Sequence, residues 1–473
     1  VASSLAILLA RAGVKVALLH LQKRAPLIVG ESLVPAIIPM LQALGVEDEV
    51  KTYSKYKPGA TINLTPTFNL CFPFKELRAK VPPYAYNTPR DRLDDTILEA
   101  ARKAGAHIVH TAAKVERVPG TDRARLSDET MVAAAGVFSE QPDLIVDATG
   151  RARLLPQALE LPARKGPRED VALFAHVDQT KIDHDGHVHT TRLDHGWAWR
   201  IPLPDRMSLG VIIGKEFLPK FGATKEEQYD NLLQQDSVLS KIAGASKRLT
   251  PVMEYKNYQL CTDRLVGENW VLVGDTAGFI DPVFSSGLLI GMQGSFMLAK
   301  VIADGSPRAF KKYEKEILHH LEAWHEIVGY FYSGRLFKSF QVGDELLKTN
   351  MLMRMVFPHM QKHFGAIFTG LASNSNYGNA LAEFTRAYLG SVTRKTTVLI
   401  IGDGRNNHNP PQVWALEELK RKAKRVVWIC TEPRQNWGFG DSEMLRYEKA
   451  VSQVVTVQTL SDLERIAQQL IPV

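Results

Sequence analysis

The sequence predicts an α/β protein in which short buried strands alternate with helices around a β-rich middle region. An apolar run at 270–273 is followed by a turn of small residues and a helical pattern over 288–303. A small-residue helix over 1–13 leads into an apolar strand at 14–19. Residues 374–473 repeat the alternation as a separate α/β unit. Its predicted strands are 399–401, 426–429 and 454–457, and its predicted helices are 413–424 and 460–470.

The composition is that of an ordinary globular protein, with 473 residues of which 45% are hydrophobic and 23% charged. A formal net charge of +7 suits anionic small molecules, but no basic stripe with interleaved aromatic residues indicates nucleic acid. No apolar run predicts a membrane span. Cys71, Cys261 and Cys430 lie far apart without a C-x-x-C spacing, which favours a reducing cytoplasm over a disulfide framework or a zinc site.

The segment G-D-T-A-G-F-I-D-P-V-F-S-S-G at 274–287 is the most informative stretch of the chain. A strand that ends at Gly274 and turns through small residues into a helix directs backbone N–H groups and a positive helix end towards one point. The carboxylate of Asp275 can accept hydrogen bonds from sugar hydroxyls. The segment therefore predicts a nucleotide-like cofactor that carries a diphosphate.

The helix and strand at 1–19 are typical of the second part of a Rossmann βαβ unit. In such units a first strand and a G-x-G-x-x-G turn precede the helix, and neither is in this sequence. An acidic residue is expected where the second strand ends, and His20 occupies that place. A histidine offers fewer hydrogen bonds to a ribose than a carboxylate does.

The middle of the chain is rich in β-forming residues and predicts a sheet that could wall a pocket. The segments concerned are 58–75, 107–118 and 170–215. Asp185-Gly186 predicts a hairpin turn between residues 180–182 and 187–189. Apolar residues at spacings of three and four predict helices over 307–363, with a stripe that packs in a core.

Five strings occur in a characteristic order. They are G-E-S-L-V-P at 30–35, Y-A-Y-N-T-P-R at 84–90 with Leu93 and Asp94, D-L-I-V-D-A-T-G at 143–150, W-A-W-R-I-P at 197–202, and the 274–287 segment. Together they resemble flavin-dependent halogenases and their close monooxygenase-like relatives over residues 1–365. The resemblance implies an FAD-binding Rossmann-type domain of the glutathione-reductase-like fold, a β-sheet substrate domain and a helical segment. The implied FAD-binding parts are 1–50, 85–165 and 260–305, the substrate sheet is 51–84 and 166–259, and the helical region is 306–365.

Enzymes of this kind use reduced FAD, oxygen and a halide ion to halogenate an aromatic substrate, and a separate flavin reductase supplies the reduced FAD. The resemblance implies cofactor contacts at Arg90, Asp147, Gly150, Gly274, Asp275, Gly278, Asp281, Pro282 and Gly287, and a halide site at Ser286 and Gly287. Trp197 and Trp199 are expected to keep the substrate away from the oxidised flavin, which favours halogenation over hydroxylation. Alternate tryptophans along a strand also occur simply because both pack.

The family's chemistry also needs a lysine whose ammonium is partly desolvated, because burial lowers the pKa of an amine. Lys57, in K-P-G-A, matches the place of this residue, and Lys75 is the alternative because apolar neighbours could desolvate it. Tryptophan-directed members carry a glutamate before the small-residue turn. Ser285 stands there instead, which resembles members that act on phenols or pyrroles, free or bound to a carrier protein.

The last region contains strings that resemble the C-terminal half of CoxE-like von Willebrand factor A domains. They are Y-G-N-A-L at 377–381, G-D-G-R-N-N at 402–407, E-P-R at 432–434 and W-G-F-G-D-S at 437–442. The resemblance implies a partial von Willebrand A module of Rossmann-like fold over 374–473 and a protein partner for it. No D-x-S-x-S string precedes Tyr377, and Asp403 with Ser373 or Ser375 would supply only part of a magnesium shell. No metal site is predicted.

Three functions fit these observations. The first is an FAD-dependent halogenase, and the second is an FAD-dependent monooxygenase or reductase of the same fold that uses no halide. The third is a fusion without catalysis that serves as an interaction module, which the missing glycine-rich turn and His20 favour.

Overall fold

The protein is described from a computed structural model. The structure describes residues 1–21, 27–65, 68–76, 81–178, 180, 182–281, 283–334, 377–406, 409–457 and 462. The chain divides into two compact units, residues 1–371 and 372–473, and each is described by itself.

The first unit combines helices with several small sheets and one large sheet. Its helices are α1 (Ala2–Arg11), α2 (Ile38–Leu44), α3 (Glu47–Thr52), α4 (Arg90–Lys103), α5 (Asp128–Ala133), α6 (Leu154–Ala158), α7 (Lys225–Gln235), α8 (Leu239–Ile242), α9 (Ser286–Asp304) and α10 (Pro307–Tyr332). Its strands are β1 (Ala17–His20), β2 (Lys55–Lys57), β3 (Gly59–Thr65), β4 (Phe68–Pro73), β5 (Ala85–Asn87), β6 (His107–His110), β7 (Val115–Arg117), β8 (Ala124–Leu126), β9 (Ile145–Asp147), β10 (Ala163–Val177), β11 (Val188–Leu193), β12 (Gly196–Pro202), β13 (Met207–Gly214), β14 (Met253–Thr262), β15 (Trp270–Leu272) and β16 (Gly278–Phe279).

Parallel strands with helices packed beside them form one part of this unit. Strand β1 pairs with β6 and β9 pairs with β15, both in parallel, and α1 packs against α4 and α9. Parallel pairs need helical crossovers, because two strands that run the same way cannot be joined by a tight turn. The predicted Rossmann-type architecture is confirmed, and both predicted strand-and-helix pairs, at 1–19 and at 270–303, fall in it.

The β-rich middle forms an eight-stranded sheet in the order β16-β14-β10-β13-β12-β11-β3-β4. Its described pairings are antiparallel except that of β11 with β3. One face packs on α7 and α8, where Ala198 and Val211 join the buried core with Tyr229. Because side chains alternate along a strand, Trp197 and Trp199 point to the opposite face. This confirms the predicted sheet and assigns the tryptophans to one side of it.

The hairpin predicted at Asp185-Gly186 is wrong. Gly186 does adopt the left-handed conformation of a turn, with φ of +75°. Residues 180 and 182 lie outside any strand, however, and β11 instead forms its hairpin with β12 through residues 194–195. The backbone carbonyl of Gly186 accepts a hydrogen bond from the side-chain amide of Asn87, so this turn contacts the end of β5.

Helices α9 and α10 pack against each other behind the parallel strands. The buried stripe of α10 is Tyr313, Ile317, Leu321, Trp324, Val328 and Phe331, which confirms that the helix packs in the core. The predicted helical continuation over 335–363 lies outside the described residues. Among the described helices, α9 alone has the length and apolar composition of a membrane span, a test that core helices of globular folds also meet. Its contacts with α1 and α10 are those of a core helix.

The second unit contains a parallel sheet in the order β17-β18-β19. Its strands are β17 (Thr397–Ile401), β18 (Arg425–Cys430) and β19 (Gln453–Thr456), and its helices are α11 (Tyr377–Tyr388), α12 (Val413–Lys422) and α13 (Met444–Ala450). Trp428 and Tyr447 stack at 4.9 Å between ring centroids in its core. The three predicted strands and the helix at 413–424 are confirmed. The helix predicted at 460–470 falls on residues that are not described, apart from position 462.

Candidate active site

The turn between β15 and α9 encloses a small pocket that collects most of the predicted cofactor and halide residues. The pocket is lined by Gly274, Asp275, Gly278, Phe279, Ile280, Asp281, Ser286, Gly287 and Ile290. Ser285 begins α9 in the left-handed conformation, with φ of +56°, which is uncommon for a residue other than glycine. The first N–H groups of a helix lack partners within the helix, so the start of α9 offers donors to an anion in this pocket.

Glycines keep this pocket open. A Cβ added to Gly287 would have Asp275 Oδ1, at 3.9 Å, as its nearest neighbour, so a side chain there would enter free space. Gly274 and Gly150 have φ values of +69° and +61°, which glycine adopts without strain. A Cβ added to Gly150 would lie 3.9 Å from Cβ of Asp275, so the turns after β9 and β15 face each other.

The carboxyl group of Asp275 lies half-buried between these turns. Burial raises its pKa, and the cationic side chains of Arg151 and Arg90 act in the opposite direction. Arg151 was not singled out from the sequence. Its guanidinium lies 5.2 Å from the ring centroid of Phe279, a residue that lines the pocket.

Arg90, the first residue of α4, holds the start of the G-E-S-L-V-P segment (residues 30–35) by hydrogen bonds. Its Nη1 donates to the carbonyl of Val29 at 3.0 Å, and its Nη2 pairs with Asp94 Oδ1 at 3.1 Å. Its Nε is buried and has no acceptor among the described residues. A buried donor without a hydrogen-bond partner is rare in a folded protein. A ligand atom would satisfy it, which agrees with the predicted cofactor contact.

The carboxylate of Asp147, a predicted cofactor contact, is hydrogen-bonded within the protein. Its Oδ1 accepts hydrogen bonds from the backbone and hydroxyl of Thr149, at 2.8 Å and 2.7 Å, and its Oδ2 accepts from the backbone of Leu155 at 2.7 Å. Thr276 donates to Oδ1 as well, at 3.3 Å. The carboxylate is therefore committed to the protein, and it joins the turn after β9 to the turn after β15.

Two further predicted contacts need comment. Gly278 lines the pocket, but a Cβ there would come within 2.7 Å of Leu321 Cδ1, so the glycine also permits the close approach of α10. Pro282 lies outside the described residues.

Lys57 is almost completely buried, with 2% of its surface exposed, whereas Lys75 is exposed. Its ammonium donates to the hydroxyl of Ser32 at 2.8 Å and to the carbonyl of Leu33 at 2.6 Å. No carboxylate pairs with it in the part of the chain that the structure describes. Burial lowers its pKa to about 7 from the ordinary 10.5. Of the two lysines chosen from the sequence, only Lys57 has the desolvated surroundings that the chemistry needs.

A short relay holds Lys57 in place. The hydroxyl of Ser32 donates to Asn87 Oδ1 at 2.9 Å, and the amide of Asn87 donates to the carbonyl of Gly186 at 3.0 Å. Ser32 can accept from the lysine and donate to the amide at once because a hydroxyl carries both functions. Ser32 was predicted only as part of a motif, and its hydrogen bonds orient the amine of Lys57.

The neighbouring Glu31 forms a second buried polar contact that the sequence analysis missed. Its Oε1 lies 2.9 Å from Nε2 of His176 on β10, and both side chains are buried. Arg206 donates from Nε to Nδ1 of the same ring at 3.0 Å. The ring therefore accepts at Nδ1 and donates from Nε2 to Glu31. An acidic residue between glycine and serine in an apolar stretch is the signal that could have revealed it.

Trp197 and Trp199 form an aromatic wall on the sheet face that points away from α7 and α8. They are 3% and 7% exposed, and their rings lie 5.8 Å apart. Trp199 donates to the hydroxyl of Ser208 at 3.2 Å, and its ring fills the space left by the missing side chain of Gly210. Trp197 donates at 2.8 Å to the hydroxyl of Tyr332, the last residue of α10. The helical pattern in the sequence predicted only core packing for this end of α10.

The second unit provides no described metal centre. Asp403 Oδ1 accepts the backbone N–H of Arg405, and the guanidinium of Arg405 pairs with Asp441 at 2.8 Å and with Glu432. In the described part of this unit no three His, Cys, Asp or Glu side chains lie close enough to share an ion. Ser373 and Ser375 lie outside the described residues.

The first unit thus presents a glycine-lined pocket at a helix start, an unsatisfied arginine donor beside it, a buried lysine and an aromatic wall. These features suit a dinucleotide with its diphosphate at the helix start, so the residues present fit FAD. Lys57 contacts Ser32 and Leu33 of the G-E-S-L-V-P segment. Trp197 is joined through Tyr332 to Asp281 in the turn between β15 and α9, which we call the pocket turn.

Family models and known proteins match most of this chain. The tryptophan halogenase family model matches residues 72–336, and the model of VWA domain containing CoxE-like protein matches residues 349–466. The 1H-pyrrole-2-carbonyl-[peptidyl-carrier protein] chlorinase of Pseudomonas fluorescens is 25% identical over 70% of this chain and 81% of its own length. The tryptophan 2-halogenase of Chondromyces crocatus is 26% identical over 70% of this chain and 65% of its own length.

A solved structure gives the same result for the fold. The flavin-dependent brominase Bmp2 superimposes with a TM-score of 0.65 at 18% identity, covering 82% of this chain and 97% of its own. The expected flavoprotein fold, the family's use of a flavin and a halide, and the C-terminal CoxE-like module are confirmed. The family model covers more than half of the 473 residues, and the chain belongs to the tryptophan halogenase family of FAD-dependent oxidoreductases.

Proposed function

We propose that this protein uses reduced FAD, oxygen and a halide ion to halogenate an electron-rich aromatic substrate of the phenol or pyrrole type, free or bound to a carrier protein. The observation that carries the proposal is the burial of Lys57 without a carboxylate partner among the described residues. An FAD-dependent monooxygenase or reductase would have no need to bury a lysine in this way, because burial of a cation opposes folding.

The residues proposed to hold FAD surround the pocket turn. Gly274, Asp275 and Gly150 face the diphosphate and ribityl part, and Arg90 supplies a donor from its unsatisfied Nε. Ser286 and Gly287 at the start of α9 are proposed to bind the halide through backbone N–H groups. Reduced FAD with oxygen supplies the two-electron oxidation that turns a halide into an electrophile.

Lys57 is proposed to receive the electrophilic halogen from hypohalous acid: the nitrogen–halogen bond forms as the halogen–oxygen bond breaks, and the leaving hydroxide takes a proton from the amine and departs as water. A pKa near 7 keeps a large fraction of the side chain as a neutral amine whose lone pair is available, whereas an exposed lysine at neutral pH is almost wholly ammonium. Ser32 and the carbonyl of Leu33 fix the nitrogen by hydrogen bonds at 2.8 Å and 2.6 Å. The buried position also excludes water that would otherwise consume the electrophile.

Trp197 and Trp199 are proposed to separate the substrate from the cofactor. Both indoles are buried and held by hydrogen bonds, so the wall is fixed in position. A substrate that cannot reach the flavin directly is exposed only to the diffusible halogen species. This arrangement favours halogenation over hydroxylation.

The remaining parts of the proposal concern partners and location. A separate flavin reductase supplies reduced FAD, and the CoxE-like module binds a protein partner. The free thiols of Cys71, Cys261 and Cys430 favour the cytoplasm as the site of action.

The proposal is tested with the full chain, reduced FAD, oxygen, bromide or chloride and a panel of phenols and pyrroles, some attached to a carrier protein. We expect product masses that depend on the halide, loss of product in Lys57→Ala and near-normal product in Lys75→Ala. Hydroxylated products without halide dependence would favour a monooxygenase. A chain that binds no FAD would favour the interaction module. Peroxide as the only product, with Lys57→Ala equal to wild type, would overturn the proposal.

A further inference from the structure

The end of α10 touches both the tryptophan wall and the pocket turn through one hydroxyl group. Tyr332 accepts a hydrogen bond from Nε1 of Trp197 at 2.8 Å and donates to Oδ2 of Asp281 at 3.0 Å. Asp281 in turn accepts the backbone N–H of Val283 with its Oδ1 at 2.9 Å. Ser286 donates to the backbone carbonyl of Asp281 at 3.5 Å. A continuous chain of hydrogen bonds therefore joins β12 to the turn that carries the proposed halide site.

The phenol ring of Tyr332 is fixed on its other sides as well. The guanidinium of Arg168 stacks on the ring with its Cζ 3.6 Å from the centroid. Arg168 is itself held by two hydrogen bonds to Asp170, at 2.8 Å and 2.7 Å. Phe331 meets the ring of Tyr332 edge to face, with 5.4 Å between centroids. The side chain of Tyr332 is thus a fixed bridge, because its ring and its hydroxyl are both constrained.

The bridge spans two elements that have no covalent connection nearby. Helix α10 is anchored on the fold by its buried stripe, and its last turn holds Trp197 of the substrate sheet against the pocket turn. Burial raises the pKa of Asp281 to about 7 and raises the pKa of Tyr332 well above its ordinary value, so the phenol stays protonated and able to donate. A displaced indole would leave an opening between the cofactor side and the substrate side.

We propose that Tyr332 is a positioning residue that locks the Trp197 indole onto the pocket turn, and so determines how much of the oxidised halogen reaches the substrate. This inference rests on the proposed halogenase function for its effect on products. The contact itself does not depend on that function. Removal of the hydroxyl in Tyr332→Phe leaves the ring and its stacking on Arg168, but removes both hydrogen bonds.

The contact is tested by NMR of the indole N–H groups in the full chain without FAD, with the Trp197 signal assigned by its loss in Trp197→Phe. We expect Tyr332→Phe to move this signal and to speed its hydrogen exchange by about tenfold, since a hydrogen bond worth roughly 1.4 kcal/mol is lost. Asp281→Asn should move the signal in the wild-type background and leave it unmoved in the Tyr332→Phe background. The control is Tyr330→Phe, which removes the hydroxyl of a tyrosine that is 53% exposed on the same helical turn. An unmoved Trp197 signal in Tyr332→Phe would overturn the inference.

The effect on products is tested at saturating FAD and halide. We expect Tyr332→Phe to lower the ratio of halogenated product to released peroxide at least fivefold, with FAD affinity within twofold of wild type, while Tyr330→Phe keeps the wild-type ratio. An unchanged ratio overturns the positioning role even where the NMR signal moves. Should wild type form no halogenated product, the proposed function fails. The indole signals then still decide whether Tyr332 fixes Trp197.

Discussion

The buried amine of Lys57 makes the stability of the first unit depend on pH. Its folded pKa of about 7 lies below the ordinary 10.5, so between these values the unfolded chain binds more protons than the folded chain. Stability therefore rises with pH across this window, and the full cost of burying the amine applies below about pH 7. At 1.36 kcal/mol for each unit of pKa, the cost is about 5 kcal/mol at pH 6 and about 2 kcal/mol at pH 9.

Lys57→Met removes this cost while it keeps a side chain of similar length. The variant loses the hydrogen bonds to Ser32 and Leu33, but an amine and an ammonium can both donate them, so that loss changes little with pH. We expect the free energy of unfolding of wild type, relative to the variant, to rise by about 3 kcal/mol from pH 6 to pH 9. This difference in unfolding free energy is measured by urea unfolding of the full chain at both pH values, with tryptophan fluorescence as the signal.

The matched control is Lys55→Met on the same strand. Lys55 is 34% exposed and pairs at 2.9 Å with Asp185, whose side chain is 85% exposed. Exposed pairs contribute about 0–1 kcal/mol, so its removal should produce a difference that varies by less than 1 kcal/mol between the two pH values. The reasoning fails if the Lys57→Met difference is as flat as this control, because the amine would then titrate as it does in water.

Three further predictions concern the site. Gly287→Val should place a side chain in the pocket and lower FAD retention at least tenfold with little loss of stability, which flavin absorbance and thermal unfolding would report; full retention would contradict the proposed cofactor pocket. His176→Ala should leave Glu31 buried without its hydrogen-bond donor and cost about 2–3 kcal/mol in unfolding free energy, with partial recovery in His176→Gln. A loss below about 1 kcal/mol would argue against this buried hydrogen bond. Asp147→Asn should lower stability by about 1–3 kcal/mol through repulsion at the N–H of Leu155, while its folded fraction keeps normal FAD affinity; a selective loss of affinity would instead support the predicted cofactor contact of Asp147.

The parts of the fold that local patterns specify could be predicted from the sequence. The apolar run at 270–273 and the helix after it need only their own residues, and Gly45 ends α2 with φ of +75° as a glycine after a helix usually does. The Asp185-Gly186 hairpin was mispredicted, because a turn signal says that the chain bends but not which strand comes next. The parallel pairing of β11 with β3 depends on residues far apart in the chain.

The residues of the site also divide into those that a local pattern could predict and those that depend on residues far apart in the chain. The pocket turn is contiguous, so the sequence placed Asp275, Ser286 and Gly287 together correctly. Lys57 could be chosen by position, but only the fold distinguishes it from Lys75, since burial is a property of neighbours brought from elsewhere. Tyr332 lies 135 positions from Trp197 along the chain, and no local pattern indicates a contact at that separation.

The segment at 30–33 shows why such distant contacts are needed at this site. Gly30 has φ of +89°, and a Cβ there would approach Arg90 Nη1 to 2.7 Å, so only glycine allows the arginine to hold the loop. The next three residues are all held by other elements: Glu31 by β10, and Ser32 and Leu33 by both β2 and β5. A loop fixed at each position has few ways to relax. A buried lysine that lowers stability by several kcal/mol persists only where its surroundings cannot rearrange to expose it. The stiffness of the loop and the low pKa of Lys57 are therefore two consequences of one arrangement, and a substitution that loosens the loop should raise the pKa of the amine towards its ordinary value.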